Sequence, residues 1–76
     1  MDELLVYLAR QLVDHPDEVR VERSEREDGT LVLSLVVADD DRGKVIGKQG
    51  RIARALRTVV KAAAVRERRR VYVEIA

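Results

Sequence analysis

Residues 43–51 form the segment whose residue types and spacing are best suited to binding chemistry, with the sequence Gly-Lys-Val-Ile-Gly-Lys-Gln-Gly-Arg. Gly47 and Gly50 have no Cβ, so the backbone between them can approach another group closely. A helix predicted from Arg51 onward would begin there with free N–H groups and the positive end of its dipole. The segment therefore predicts an anion-binding loop between two helices.

Basic side chains surround this positive helix end, at Lys44, Lys48 and Arg51. A helix N-terminus favours acidic residues by a few tenths to about 1 kcal/mol, so these cations are unfavourable for stability. A local rule broken at one site points to function there. An external anion resolves the conflict, and a phosphate of a nucleic acid backbone fits best.

Two longer phosphate-binding motifs, the P-loop and the dinucleotide fingerprint, do not match this segment. A P-loop requires glycine five residues before Gly47, where Arg42 stands, and Ser or Thr at Gln49. The dinucleotide fingerprint requires glycine at Val45. The remaining pattern is G-x-x-G between two helices.

Hydrophobic periodicity and turn residues predict the elements that position this loop. They are a helix over 2–14 stopped by Pro16, strands over 19–23 and 31–38 joined by the Asp28-Gly29 turn, a short helix over 39–46, a longer helix over 51–65 and a strand over 71–75. The acidic run 39–41 offers N-caps for the short helix. The order α-β-β-α-α-β predicts an α+β domain over 1–76, with a three-stranded sheet and helices packed on one face.

The helix over 51–65 has two predicted faces. The apolar face consists of Ile52, Ala55, Leu56, Val59 and Ala63. A basic stripe opposite consists of Arg51, Arg54, Arg57, Thr58 and Lys61. Residues 59–65 are apolar over more of the circumference than one sheet contact requires, which predicts that this segment contributes to a dimer surface, with Val60 and Ala64 among its exposed apolar residues.

Composition excludes several classes of function. The 76 residues contain no cysteine, one histidine and two aromatic residues, Tyr7 and Tyr72. Disulfides, cysteine zinc sites and thiol nucleophiles are thereby excluded, and base-stacking on an aromatic platform is not expected. No acid–base or metal constellation is apparent, so we expect no enzyme activity, cofactor or metal. No apolar run approaches a membrane span and no signal peptide opens the chain, which predicts a cytoplasmic location.

The charge is segregated along the chain. Residues 1–41 carry four basic and twelve acidic residues, whereas residues 42–76 carry eleven basic and two acidic ones. The net +1 is a cancellation of −8 against +9. A polyanion partner for the basic part and salt-bridging within the domain both explain this segregation.

The motif Val45-Ile46-Gly47-Lys48-Gln49-Gly50, the segments 13–19 and 71–75 and the element order resemble the KhpA family, small bacterial proteins with one type II KH domain. KH domains clamp four backbone nucleotides with such a loop. One departure is Ala53, where many KH domains have a large aliphatic residue.

The resemblance implies a non-catalytic protein that binds single-stranded RNA, of the RNA chaperone or post-transcriptional regulator type. It also implies a homodimer and a possible heterodimer with a KhpB (Jag)-type protein, and no membrane partner. An apolar groove for bases would be lined by Val45, Ile46, Ala53, Leu56 and the central strand. The implied RNA-binding residues are Lys44, Val45, Ile46, Gly47, Lys48, Gln49, Gly50, Arg51 and Arg54.

Two alternatives from other classes stay open. The short helix, glycine turn and basic helix also agree with a helix-turn-helix that reads duplex DNA. The domain could instead be a protein-interaction scaffold with a vestigial RNA site.

Overall fold

The computed structural model describes residues 1–75, and of Lys48 it describes the backbone only. The elements are α1 (Asp2–Leu12), a 3-10 turn (Pro16–Glu18), β1 (Arg20–Glu25), β2 (Leu31–Val36), α2 (Asp39–Arg66) and β3 (Val71–Ile75). The helix α1 ends two residues earlier than expected, because Val13 already has extended backbone. Pro16 opens the 3-10 turn, which the sequence pattern did not predict.

The three strands form one sheet in the order β1-β2-β3. The β1–β2 pair is antiparallel, with Glu22 opposite Ser34. The β2–β3 pair is parallel, with Leu33 opposite Val73. In the β1–β2 hairpin Gly29 has φ 89° and Asp28 Oδ1 accepts the Thr30 N–H at 2.9 Å. The pKa of Asp28 is lowered chiefly by that N–H and also by the Thr30 hydroxyl.

Both helices pack on one face of the sheet, which confirms the predicted architecture. Leu33 and Leu35 of β2 and Val73 of β3 point to this face and are buried. They pack with Leu5 and Ala9 of α1 and with Val45, Ala53, Leu56 and Val60 of α2. The opposite face carries Glu22, Ser34 and Glu74, which lie side by side in the strand register.

The buried face of residues 51–66 is rotated from the predicted one. Ala53, Leu56, Val60 and Ala64 are buried, whereas Val59 is 41% exposed. Val60 and Ala64 therefore belong to the core, and their assignment to a dimer surface was wrong. The helix turns this face toward the sheet because Val60 and Ala64 lie one helical turn apart in line with Leu56 and Ala53.

Asp41 has a different role from the predicted N-cap. The helix N-cap is Ala38 and makes no side-chain cap bond. The Asp41 carboxylate is fully buried and accepts the N–H groups of Asp14 at 3.0 Å and His15 at 2.9 Å. It thereby holds the segment after α1 against the first turn of α2.

We expect Asp41→Asn to lower the melting temperature by several degrees, whereas Asp40→Asn, at an exposed neighbour, leaves it nearly unchanged. Burial opposes ionisation of Asp41, but the two N–H groups, with His15 and Lys44 nearby, outweigh it and hold the pKa below its ordinary value. This stabilisation is complete above the ordinary pKa of about 4 and is lost as pH falls through the lower folded-state value. Thermal melts between pH 2.5 and 7 measure the effect. Equal melting temperatures for the Asp41→Asn variant and the wild-type chain at pH 7 would contradict it.

Candidate nucleic-acid interface

The G-x-x-G segment divides the helical stretch into two arms, 39–48 and 51–66. Gln49 has φ 62° and Gly50 has φ 69°, both in the left-handed region. Two such residues interrupt the regular right-handed geometry of α2 at this point. These two left-handed residues confirm the predicted break between two helices. Gly50 adopts the conformation without steric cost, whereas Gln49 is a residue type that rarely adopts it.

One hydrogen bond joins the second arm to this turn. The Arg54 Nη2 group donates to the Gln49 carbonyl oxygen at 2.8 Å. The side chains of Gln49, Arg51 and Arg54 are exposed. A strained residue that presents an exposed polar side chain next to two arginines is typical of a ligand-binding turn.

The surface of the first arm carries both a charged and an apolar side chain. Lys44 Nζ donates to Asp14 Oδ1 at 3.3 Å and remains partly exposed. Ile46 is 48% exposed, and Gly47 is half-buried. The Lys48 side chain, which the sequence assigns to the site, lies outside the described part of the chain. The exposed residues Ile46, Gln49, Arg51 and Arg54 therefore lie within or directly beside the turn along the chain.

The expected base groove needs a correction. The side chains of Val45, Ala53 and Leu56 are buried in the core. They pack in the core with the sheet residues and are not available to contact a ligand. Of the four residues named for the groove, Ile46 alone is exposed.

A substitution at Gly47 is expected to affect stability and RNA binding in opposite directions. A Cβ added at Gly47 or at Gly43 meets no atom within 4 Å, and neither residue has positive φ. Both Gly→Ala substitutions are expected to raise stability by up to about 1 kcal/mol, because alanine favours helix. If a phosphate approaches the loop backbone, Gly47→Ala weakens oligonucleotide binding about tenfold or more, whereas Gly43→Ala, one turn away, does not.

Fluorescence anisotropy with a labelled single-stranded RNA, combined with thermal melts, measures both quantities for these two variants. Unchanged affinity of the Gly47→Ala variant would show that this glycine does not serve close approach of a ligand.

The opposite charges along the sequence are only partly paired in space. Three ion pairs within the described residues join the acidic and basic parts of the chain, namely Arg42–Asp39, Lys44–Asp14 and Arg69–Glu25. Seven basic residues of the second part have no carboxylate within 4.0 Å among the described residues. They are Arg51, Arg54, Arg57, Lys61, Arg66, Arg68 and Arg70. Salt bridges within the domain therefore account for only part of the opposite charge of the two parts of the chain.

A cleft along the second arm was missed at the sequence level. It lies between residues 57–65 and the start of β3, and Lys61, Arg70 and Tyr72 contribute to its walls. Tyr72 was set aside because two tyrosines are too few for an aromatic platform. Its position on the strand that follows a run of arginines was the available signal.

Residues 1–75 offer neither a metal-ion cluster nor a membrane-spanning helix. No group of three or more histidine and acidic residues could hold a metal ion in this part of the chain. No helix of the same residues is both long enough and apolar enough to cross a membrane.

The order of elements, the mixed sheet and the G-x-x-G turn between two helical arms define a KH domain of type II. The family model described as "KhpA/KhpB, KH domain" matches residues 2–75. The chain belongs to this family of KH-domain proteins.

Similar proteins cover nearly the whole chain. The RNA-binding protein KhpA of Clostridium acetobutylicum is 59% identical over 75 residues, which are 99% of each chain. Its counterpart from Halalkalibacterium halodurans is 57% identical over 76 residues, covering 99% of this chain and 97% of its own. The Bacillus subtilis protein of the same name is 49% identical, covering 99% of this chain and 91% of its own. No solved structure gives a significant match.

Proposed function

We propose that this protein binds single-stranded RNA without catalysing a reaction, and that the G-x-x-G turn clamps the RNA backbone. The observation that supports it most directly is the turn itself, with two consecutive left-handed residues and exposed arginines beside it. The relatives named RNA-binding protein KhpA match along the same length of chain. A role as an RNA chaperone or post-transcriptional regulator in the cytoplasm follows from this proposal.

The mechanism uses three kinds of contact. Backbone N–H groups at the beginning of the second arm donate to phosphate oxygens, where the helix dipole is positive. Arg51 and Arg54, with the charges of Lys44 and Lys48, neutralise phosphates and set the affinity. The exposed Ile46 side chain gives an apolar contact for a base. Unpaired bases are required, because paired bases cannot enter such a site.

A competition experiment tests the proposal against the duplex-DNA alternative. A labelled single-stranded RNA is bound to the protein, and unlabelled single-stranded RNA or duplex DNA is added. We expect the RNA to compete at least tenfold better, and the logarithm of affinity to fall with the logarithm of salt concentration by about 0.7 for each phosphate contact. Stronger competition by duplex DNA would favour a helix-turn-helix function. Absence of RNA binding at any salt concentration would favour the scaffold.

We further propose that the exposed apolar residues of the second arm form the surface of a homodimer, or of a heterodimer with a KhpB-type KH protein. Ala55, Val59 and Ala62 are exposed at helical spacing, and Ile52 and Ala63 beside them are half-buried. Isolated exposed apolar residues are common, but a stripe along one helix is typical of an interface.

Sedimentation over a concentration series tests this surface. The wild-type chain is expected to associate at micromolar concentration, and Val59→Asp to shift association to at least tenfold higher concentration. Tyr7→Asp, at another exposed residue on α1, is the matched control and leaves association unchanged. A wild-type chain that remains monomeric at high micromolar concentration would disprove the homodimer.

A further inference from the structure

Gln49 has a backbone conformation that its residue type disfavours. Its φ of 62° lies in the left-handed region, which glycine, asparagine and aspartate adopt far more readily than glutamine. A residue in this region persists only when its surroundings hold it there. Gly50, the next residue, has φ 69° and needs no such support. A contact that stabilises Gln49 in particular is therefore expected close to the turn.

The side chain of Arg54 makes that contact. Its Nη2 group donates to the Gln49 carbonyl oxygen at 2.8 Å, across five residues of the chain. The backbone that carries Arg54 is fixed by packing, because the neighbouring side chains of Ala53 and Leu56 are buried in the core. The hydrogen bond therefore joins the turn to a part of the helix that the core holds in place.

This hydrogen bond also sets the orientation of the adjacent N–H group. The peptide group that joins Gln49 to Gly50 is planar and trans, so its carbonyl and its N–H point in opposite directions. A carbonyl oxygen that is held toward Arg54 holds the Gly50 N–H the other way. Gly50 and Arg51 begin the second arm, where backbone N–H groups are proposed to donate to phosphate oxygens.

The guanidinium group of Arg54 keeps further donors for a ligand. An arginine has five N–H donors, and the Gln49 carbonyl oxygen takes one of them. The Arg54 side chain is exposed and has no carboxylate within 4.0 Å among the described residues. A phosphate bound by the remaining donors would keep the guanidinium in the place where it supports the turn.

We propose that Arg54 is a positioning residue of the G-x-x-G turn, which keeps Gln49 in the left-handed conformation and thereby fixes the N–H groups that meet the RNA backbone. The inference rests on the proposed function and gives Arg54 a role beside its charge that depends on the shape of the guanidinium. Lysine does not reproduce this role, because its ammonium group is a compact, strongly hydrated charge without a planar set of donors.

The substitution Arg54→Lys separates positioning from charge. A randomised-sequence single-stranded RNA labelled with fluorescein is titrated with each variant at several salt concentrations. We expect Arg54→Lys to bind about fivefold more weakly than the wild-type chain, with an unchanged dependence of affinity on salt, because the charge remains. The control Arg66→Lys makes the same change at an exposed arginine near the far end of the same arm and is expected to bind within about twofold of the wild-type chain.

A second substitution in the turn tests the reason for this loss. Gln49→Asn keeps an amide side chain, and asparagine adopts positive φ more readily than glutamine. When Gln49→Asn is already present, Arg54→Lys is expected to weaken binding less than about twofold, because residue 49 then needs less support. Comparing the effect of Arg54→Lys with and without Gln49→Asn removes any effect that Gln49→Asn has by itself.

NMR of the free protein measures the conformation of residue 49 without RNA. The nuclear Overhauser effect between the N–H and the Hα of one residue is strong at positive φ, because these protons are then closer together than in a right-handed helix. We expect a strong effect at residue 49 in the wild-type chain and in Arg66→Lys, a weaker one in Arg54→Lys, and a strong one again when Gln49→Asn is added.

Binding by Arg54→Lys within about twofold of the wild-type chain would overturn the positioning role while leaving the proposed function standing. An equal loss with and without Gln49→Asn would do the same, since it indicates a direct contact of the guanidinium with RNA. An unchanged Overhauser effect in Arg54→Lys would also overturn it. Failure of the proposed function gives a different result, in which the wild-type chain binds no RNA while the Overhauser effect still responds to Arg54→Lys.

Discussion

Replacement of Lys48 and Gln49 together by aspartate is expected to weaken binding of single-stranded RNA by about 100-fold or more, with the fold intact. The double change alters the charge of the loop by −3 and places carboxylates where phosphates are expected to lie. Loss of one hydrogen bond to a charged group costs about 1.5–3 kcal/mol, and each 1.4 kcal/mol is a factor of ten in affinity. Repulsion between the new carboxylates and the RNA backbone adds to this loss.

The fold is expected to tolerate the change because of where Gln49 lies. Its side chain is exposed, and its φ of 62° is one that aspartate adopts more readily than most residues. The Arg54 hydrogen bond goes to the Gln49 carbonyl oxygen and does not depend on the side chain. Circular dichroism and thermal melts are therefore expected to show little change.

The chain offers a matched control for this variant. Arg10 and Gln11 are likewise a basic residue followed by glutamine, and both are exposed on α1. Arg10→Asp with Gln11→Asp changes the net charge by the same −3 and is expected to alter affinity only about twofold. Fluorescence anisotropy over a salt series measures both variants, because the slope of log affinity against log salt concentration falls with each phosphate contact that is lost. Equal losses for the loop and control variants would refute a specific role for the loop.

A second large effect is expected from two adjacent valines of the second arm. Val60 is 0% exposed and Val59 is 41% exposed. Val60→Asp is expected to unfold the protein, whereas Val59→Asp is expected to leave it folded and to act only on association. The two substitutions are chemically identical, so the difference measures which face of the helix packs on the sheet.

The magnitude follows from the cost of burying a charge. An isolated buried carboxylate costs several kcal/mol even after local relaxation. A chain of 76 residues is expected to have a total stability of about 4–11 kcal/mol. The penalty at Val60 is of the same order as that total, so the folded population collapses.

Urea unfolding followed by circular dichroism measures both variants, at a protein concentration low enough that the wild-type chain is monomeric. That condition matters because dimerisation itself adds to apparent stability. A cooperative transition for the Val60→Asp variant at a midpoint near that of the wild-type chain would contradict the burial of this residue. It would also restore the alternative in which Val60 lies at an interface.

The order of elements was predictable because each has a local cause in the sequence. Alternating apolar residues 71, 73 and 75 indicate a strand, Asp28-Gly29 indicates the hairpin turn, and the G-x-x-G pattern indicates the break between two helical arms. Strand ends and the end of α1 shifted by one or two residues, since such ends depend on pairing with neighbours. The position of the G-x-x-G turn was likewise a local property, because the glycine spacing and the surrounding cations can be read directly from the sequence.

Helix orientation could not be obtained in the same way. Residues 51–65 are rich in apolar positions all round, so periodicity favoured Ile52, Ala55 and Val59 about as strongly as Ala53, Val60 and Ala64. The sheet decides between them, because Leu33, Leu35 and Val73 pack against only one of the two faces. Asp41 is a similar case. Its position suggested a cap, but the distant N–H groups of Asp14 and His15 are its partners.

The sequence by itself determined the class of fold, the place of the G-x-x-G turn and the opposition of charge between the two parts of the chain, since all three depend on residue types at short spacing. The tertiary structure alone decided which valines are buried and which cations of the second part have no carboxylate nearby among the described residues. Those properties depend on contacts between residues far apart in the chain, which local pattern does not encode. The +1 net charge conceals them, because the cancelling charges lie at different places in the folded domain.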